Sequence, residues 1–142
     1  FVWVALEISF RGNAKRFNQQ KIRQRNFNDM GKEVKLIPRI SQNDFDFNKF
    51  TEHKGKSVVI FSADWCPYCV SFFNNWAEYS QVSDVFIADI TDVESSLWDD
   101  FNINVVPTMA IFETGILTKR WDGQLQRGLT IDQIESVNEY FN

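Results

Sequence analysis

The sequence has little cysteine, histidine or proline: two, one and three residues respectively in a chain of 142. Two cysteines cannot staple a disulfide-built scaffold, so the fold must rest on a hydrophobic core. Zinc needs four ligands, or three and a water. The cysteines and His53 fall short of that without a carboxylate, and His53 lies in a charged segment where a surface position is expected. Positive charge is also in deficit. The net charge of −4 argues against nucleic-acid binding by the chain as a whole. No apolar run approaches the roughly 18 residues needed to span a bilayer.

What is present fits one domain with additional chain. Hydrophobic residues make up 44% and charged residues 24%, ordinary values for a globular domain. The charge is uneven: residues 1–35 carry eight Lys/Arg against three Asp/Glu, and the rest is acidic. We therefore expect an N-terminal extension over 1–33, basic and partly helical, ahead of a domain over 34–142. The opening FVWVALEISF has no preceding charge and no small-residue cleavage site, so it does not read as a signal peptide. It reads as a strand packed on the domain, with the stump of a longer hydrophobic segment as the alternative.

From residue 34 the pattern is regular. VKLIPRI reads as a strand, with Pro38 marking a sheet edge. Ser41 followed by Asp44 resembles a helix N-terminus, and Phe47 and Phe50 are spaced for one face of a helix ending at Gly55. SVVIFSA is a continuous apolar run, as in a strand buried on both faces. A helix follows, with Val70, Phe73, Trp76 and Ala77 on one stripe. DVFIADI reads as a second buried strand and VESSLWDDFNI as a short helix. TMAIFE and ILTKRWD flank a hairpin turn at Thr114-Gly115. The closing helix runs over TIDQIESVNEYF, capped near Thr130, with Ile131, Ile134 and Val137 inward. Strands alternating with helices, then a hairpin, imply an α/β fold: a central mixed sheet between two helical layers.

Both cysteines fall in SADWCPYCVSFF, where a buried strand gives way to a helix. A cysteine at a helix N-terminus faces unpaired backbone N–H groups and the positive end of the helix dipole, which favour thiolate over thiol. Pro67 suits the first turn, where a missing N–H costs nothing. Cys69, one turn on, lies within disulfide reach of Cys66. This spacing fits a redox couple in which Cys66 attacks and Cys69 resolves. A zinc site and a purely structural disulfide are the alternatives; the latter would close a tiny loop and add little stability.

Strand, then W-C-x-x-C opening a helix, then Val106-Pro107-Thr108 before a strand, resembles the thioredoxin family. The resemblance covers 34–142, with FSADWCPYC at Phe61 to Cys69, Gly115 in the hairpin and Gly123 after the fifth strand. It implies a thioredoxin-like three-layer α/β/α fold and a protein disulfide oxidoreductase. Cys66 would be the nucleophile and Cys69 the resolving thiol. Trp65 would be an apolar shelf for a peptide. Pro107 would be the family's cis-proline facing the disulfide, and the backbone of Val106 would pair with substrate as an added strand. Trp65, Tyr68, Val106 and Pro107 are expected to form an apolar patch around Cys66.

The sequence departs from that family in two places. Typical thioredoxins pair a buried aspartate with a lysine on the next strand; aligned here, those positions are Ile60 and Ala88. Two apolar groups avoid the cost of a lone buried charge. The proton of Cys69 must then pass to water, to substrate, or to an acid such as Asp64, and water is expected. The dipeptide between the cysteines is Pro-Tyr, the glutaredoxin pair, yet the residues after Pro107 lack the glutaredoxin diglycine-aspartate signature. A disulfide more oxidising than that of typical thioredoxin is expected, at roughly −250 to −190 mV.

No bound cofactor is required, since the Cys66–Cys69 couple carries the two electrons. The expected partners are disulfide-containing proteins and an upstream reductase or thiol donor, with no nucleic acid and no membrane. A monomer in the cytoplasm is expected. The alternatives are a more oxidising isomerase or oxidase that is exported or membrane-tethered, and a binding module that keeps the fold for its contacts.

Overall fold

The computed structural model describes Val34, residues 36–51 and residues 55–142. The expectations for residues 1–33 and for His53 lie outside the described residues. The chain runs from strand β1 (Arg39–Ile40) through a 3-10 turn (Gln42–Asp44) to a small hairpin, β2 (Phe45–Asp46) and β3 (Lys49–Phe50). Strand β4 (Lys56–Ser62), helix α1 (Pro67–Tyr79), strand β5 (Val85–Asp89) and helix α2 (Leu97–Asp100) follow. Strands β6 (Thr108–Glu113) and β7 (Ile116–Trp121) and helix α3 (Ile131–Tyr140) complete it.

Five strands form one mixed sheet in the order β1-β5-β4-β6-β7. β5 lies parallel to both β1 and β4, whereas β6 is antiparallel to β4 and to β7. β4 is central because its apolar run has no exposed face to offer: Val58 to Phe61 are fully buried. Successive side chains alternate across a sheet. Val58 and Ile60 therefore join Met109 and Ile111 against Phe72 and Trp76 of α1 and Ile134 and Val137 of α3. Val59 and Phe61 face the other way, with Ala110, Phe112, Phe50, Leu97 and Phe101. This is the mixed-sheet α/β architecture expected.

The second face carries α2, through Leu97, but a hairpin stands where the helix ending at Gly55 was expected. The Ser41–Asp44 signal is real, since each residue caps the other's backbone, but it starts only the 3-10 turn. No helix follows, because Phe45 and Phe50 are five apart and would point about 140° away from each other on a helix. In the hairpin they sit directly opposite. Phe45 then reaches Phe101 at 5.1 Å between ring centroids and Phe50 reaches Phe86 at 5.0 Å. The turn is Phe47-Asn48, both at positive φ (49° and 64°), and Phe47 is 93% exposed rather than sharing a buried face with Phe50.

Other boundaries shift for local reasons. β1 is only two residues long, though it is the sheet edge that Pro38 marked. On α1 the buried stripe runs through Cys69, Phe72, Trp76 and Ala77; Val70 is exposed and Phe73 half-buried. Helix α2 is a single turn, and Asn102 at φ 54° ends the bend that follows it. The Thr114-Gly115 hairpin and the Thr130 cap, closed reciprocally by Gln133, fall as expected. Among the described residues no helix is long and apolar enough to cross a membrane.

Candidate active site

The central strand delivers the chain to the site. After Ser62 the backbone turns, with the Cys66 amide donating to the Ala63 carbonyl at 3.2 Å. Cys66 is the N-cap of α1 (φ −97°, ψ 112°), and Pro67 opens the helix. The Cys66 carbonyl then accepts from the amides of Cys69 (3.1 Å) and Val70 (3.4 Å), which sets Cys69 one turn along. Both cysteines are buried and both thiols are free.

Each thiol has a distinct environment. The Cys66 Sγ–H donates to the Val106 carbonyl at 3.4 Å. Burial pushes the Cys69 thiol up to about 12 from an ordinary value of 9.0. A hydrogen bond from the Ala63 backbone opposes that rise, while a hydrogen bond with Cys66 and the charges of Cys66 and Asp64 add to it. Desolvation dominates because burial disfavours the charged thiolate over the neutral thiol.

The Val106–Pro107 peptide is cis, and both residues are buried. The loop is braced from both ends. The Thr108 hydroxyl donates to the Val105 carbonyl at 2.7 Å. Gly123 lies against the Pro107 carbonyl so closely that any Cβ would collide with it. Gly128, at φ +74°, has no room either: a Cβ there would stand 3.1 Å from the Tyr68 Cβ and 3.5 Å from the Pro107 Cδ.

The structure brings Cys66, Cys69, Pro67, Val106 and Pro107 together, but the apolar patch is smaller than expected. Val106 and Pro107 are buried, so the exposed rim consists of Trp65 at 54% and Tyr68 at 39% exposure. The Trp65 indole N–H donates to the Thr91 carbonyl at 2.9 Å, and its ring stacks on Trp98 at 6.3 Å and 7°. Asp64 is a solvated turn residue, 72% exposed and 3.9 Å from Arg39. Its carboxylate raises the Cys69 thiol rather than easing its ionisation.

The pair of positions aligned with the family's buried aspartate and lysine also needs correction. Ile60 is in register with Ile87, not Ala88. Ala88 belongs to the opposite face of the sheet, with Phe61. Ile60 and Ile87 are both fully buried and apolar, so no ionisable pair stands there. Sequence reasoning missed Arg39, Asp89, Thr91 and Gly128. Only Gly128 carried a usable signal, as a glycine just before a helix cap. Among the described residues no group of His, Cys, Asp or Glu is placed to hold a metal ion.

A dithiol at the head of a helix, facing a cis-proline loop where the inner strands β4 and β6 of a mixed sheet end and begin, defines a class of thiol–disulfide exchange folds. The thioredoxin family model matches residues 38–136, and the chain belongs to that family. In general terms, thiol–disulfide oxidoreductase activity goes with that membership. Solved structures agree on the fold. Mitochondrial thioredoxin 3 from Saccharomyces cerevisiae, in its oxidized form, is similar at 18% identity and TM-score 0.58, covering 76% of this chain and 98% of its own. Thioredoxin f2 from Chlamydomonas reinhardtii is similar at 18% identity and TM-score 0.58, covering 75% and 96%. A mutant thioredoxin from Halobacterium salinarum aligns at 22% identity and TM-score 0.51, covering 73% and 90%. Comparison with curated proteins finds no match.

Proposed function

We propose that this protein reduces disulfides in other proteins through the Cys66/Cys69 couple. The observation that carries the reading is the placement of Cys66 at the N-cap of α1, its thiol against the Val106 carbonyl and beside Pro107. The Cys66 thiolate attacks one sulfur of the substrate disulfide. The S–S bond breaks, and the departing substrate thiolate takes a proton from water. Cys69 then loses its proton and attacks the Cys66 sulfur. The second substrate thiol leaves, and a Cys66–Cys69 disulfide holds the oxidising equivalents. Two electrons have passed to substrate, with no other cofactor.

Water is the acceptor for the Cys69 proton, since Ile60 and Ile87 offer no carboxylate. Trp65 and Tyr68 frame the thiol for an extended peptide segment, and the Val106 backbone pairs with it as a strand. An upstream reductase or thiol donor restores the dithiol. The protein acts as a monomer in a reducing, cytoplasmic setting, apart from nucleic acid and membrane.

The test is the potential of the couple, read by thiol trapping after equilibration with defined glutathione ratios and again against a dithiol buffer. A value at or below about −230 mV supports a reductant. A value above about −200 mV replaces this reading with an oxidant or isomerase, which the Pro67-Tyr68 dipeptide would favour.

A further inference from the structure

We propose that Asp89 and Thr91 are positioning residues for the active-site turn, with Arg39 as their anchor on β1. The inference rests on the oxidoreductase reading above but concerns residues that never touch a reacting sulfur.

The connections run outward from one carboxylate at the end of β5. One oxygen of Asp89 accepts both the amide (3.0 Å) and the hydroxyl (2.5 Å) of Thr91. Its other oxygen accepts Arg39 Nη1 at 3.1 Å. Although burial works against the charge, the hydrogen bonds from Thr91 and the nearby Arg39 outweigh it and hold the Asp89 carboxyl below its ordinary range. The acceptor is thus a full carboxylate, and charge-assisted hydrogen bonds are the strong ones.

A bond from an aspartate to the residue two ahead is common at strand ends. What Thr91 does next is not local. Having given its proton to Asp89, the Thr91 hydroxyl accepts the Asp64 amide at 2.9 Å, across 27 residues. The Thr91 carbonyl accepts the Trp65 indole N–H at 2.9 Å, across 26. One residue therefore holds the backbone and the side chain of the two residues that precede Cys66. Trp98 supplies the rest: its own indole N–H is shared between the Ile90 and Asp92 carbonyls at 3.2 Å each, and its ring stacks on Trp65. The Trp65 plane is pinned at its edge and on one face. The exposed side is left for substrate.

A shelf matters to a protein substrate and little to a small reagent that needs only the sulfur. The test compares Thr91→Val, which keeps the shape and loses the hydroxyl, with Thr91→Ser, which keeps the hydroxyl. Insulin and a small aromatic disulfide are the two substrates, with thermal denaturation run alongside. For Thr91→Val we expect the insulin KM to rise about 3–10-fold, with kcat and the small-disulfide rate held within about twofold. Thr91→Ser should match the wild type. An unchanged insulin KM overturns the proposal. So does a fall in both activities together that tracks lost folded protein, or a serine variant that behaves like valine.

Near-ultraviolet circular dichroism gives a readout independent of turnover. Without the hydroxyl bonds to Asp89 and the Asp64 amide, the Thr91 backbone no longer fixes its carbonyl against Trp65, so the stacked Trp65–Trp98 pair should lose signal in Thr91→Val and keep it in Thr91→Ser. If the wild type reduces neither substrate, the functional reading fails, and the dichroism still decides the positioning role. Unchanged dichroism in the valine variant overturns it.

Discussion

Cys66 and Val106 stand forty residues apart in sequence, and the thiol of one donates to the carbonyl of the other at 3.4 Å. The sulfur that would react is therefore held against the backbone that would receive a substrate strand. On the function proposed above, an incoming peptide would meet the reactive atom and the pairing edge at one place.

Substituting Cys69 by serine should stop the reaction at the mixed disulfide. Insulin should remain attached through Cys66 and be released by dithiothreitol, with steady-state turnover down by at least about 100-fold. Cys66→Ser should form no adduct. Mass spectrometry under non-reducing conditions reads both, and an adduct on Cys69 in the second variant would reverse the assigned roles.

The buried Cys69 thiol makes the resolving step depend on pH. Burial, the largest cause of its raised pKa, persists in the mixed disulfide although the contributions of the free Cys66 thiol do not, so the reactive thiolate fraction grows throughout the neutral and mildly alkaline range. Release of bound substrate should quicken about tenfold per pH unit with no plateau below the ordinary thiol value of 9.0. A plateau near neutrality, followed by stopped-flow mixing, would reveal a base that the surroundings of Cys69 do not show.

The same shift bears on stability. The folded-state value lies above the ordinary thiol value of 9.0, so the contribution is complete below that pH. It is lost as pH climbs from there toward the folded value. The reduced wild type should lose melting temperature over that range more steeply than Cys69→Ala. Parallel curves would place the thiol in a less buried setting.

Gly123→Ala tests the bracing of the Pro107 loop. The new Cβ would collide with the Pro107 carbonyl, so the loop must shift from the place it holds beside Cys66. We expect kcat/KM for insulin to fall by about tenfold or more, with a stability loss of about 1–3 kcal/mol from the forced displacement. Full activity in a folded variant would mean that the loop yields without disturbing the site.

Asn138→Ala tests the join between two helices. The Asn138 side chain donates to the Tyr79 carbonyl at 2.9 Å and accepts the Gln81 amide at 2.8 Å, tying α3 to the end of α1. Its loss removes both of these hydrogen bonds, at a cost of about 1–3 kcal/mol in urea denaturation. The redox potential should not change.

Much of this was legible in the sequence because it is local. The unbroken apolar run of β4, the Thr114-Gly115 turn and the Thr130 cap each announce themselves within a few residues. The cysteine pair and the Val106-Pro107-Thr108 stretch were legible as a resemblance, and the fold places them face to face. The β2–β3 hairpin was not legible. Its turn uses Phe47 and Asn48 where glycine is the ordinary signal, and a capping pair just before it suggested a helix. The Thr91 connections were invisible for another reason. They join polar residues with no periodicity, across distances in sequence that only the finished sheet closes.

β1 has two residues, paired to β5 at Arg39–Ile87 and Ile40–Ala88 alone. A sheet edge that short opens by local unfolding far more often than the strands behind it. Each opening would carry Arg39 away from Asp89 and Asp64 together. We therefore expect amide exchange at β1 and at Asp64 to be linked, with the turn before Cys66 taking part of its breathing rate from that two-residue strand.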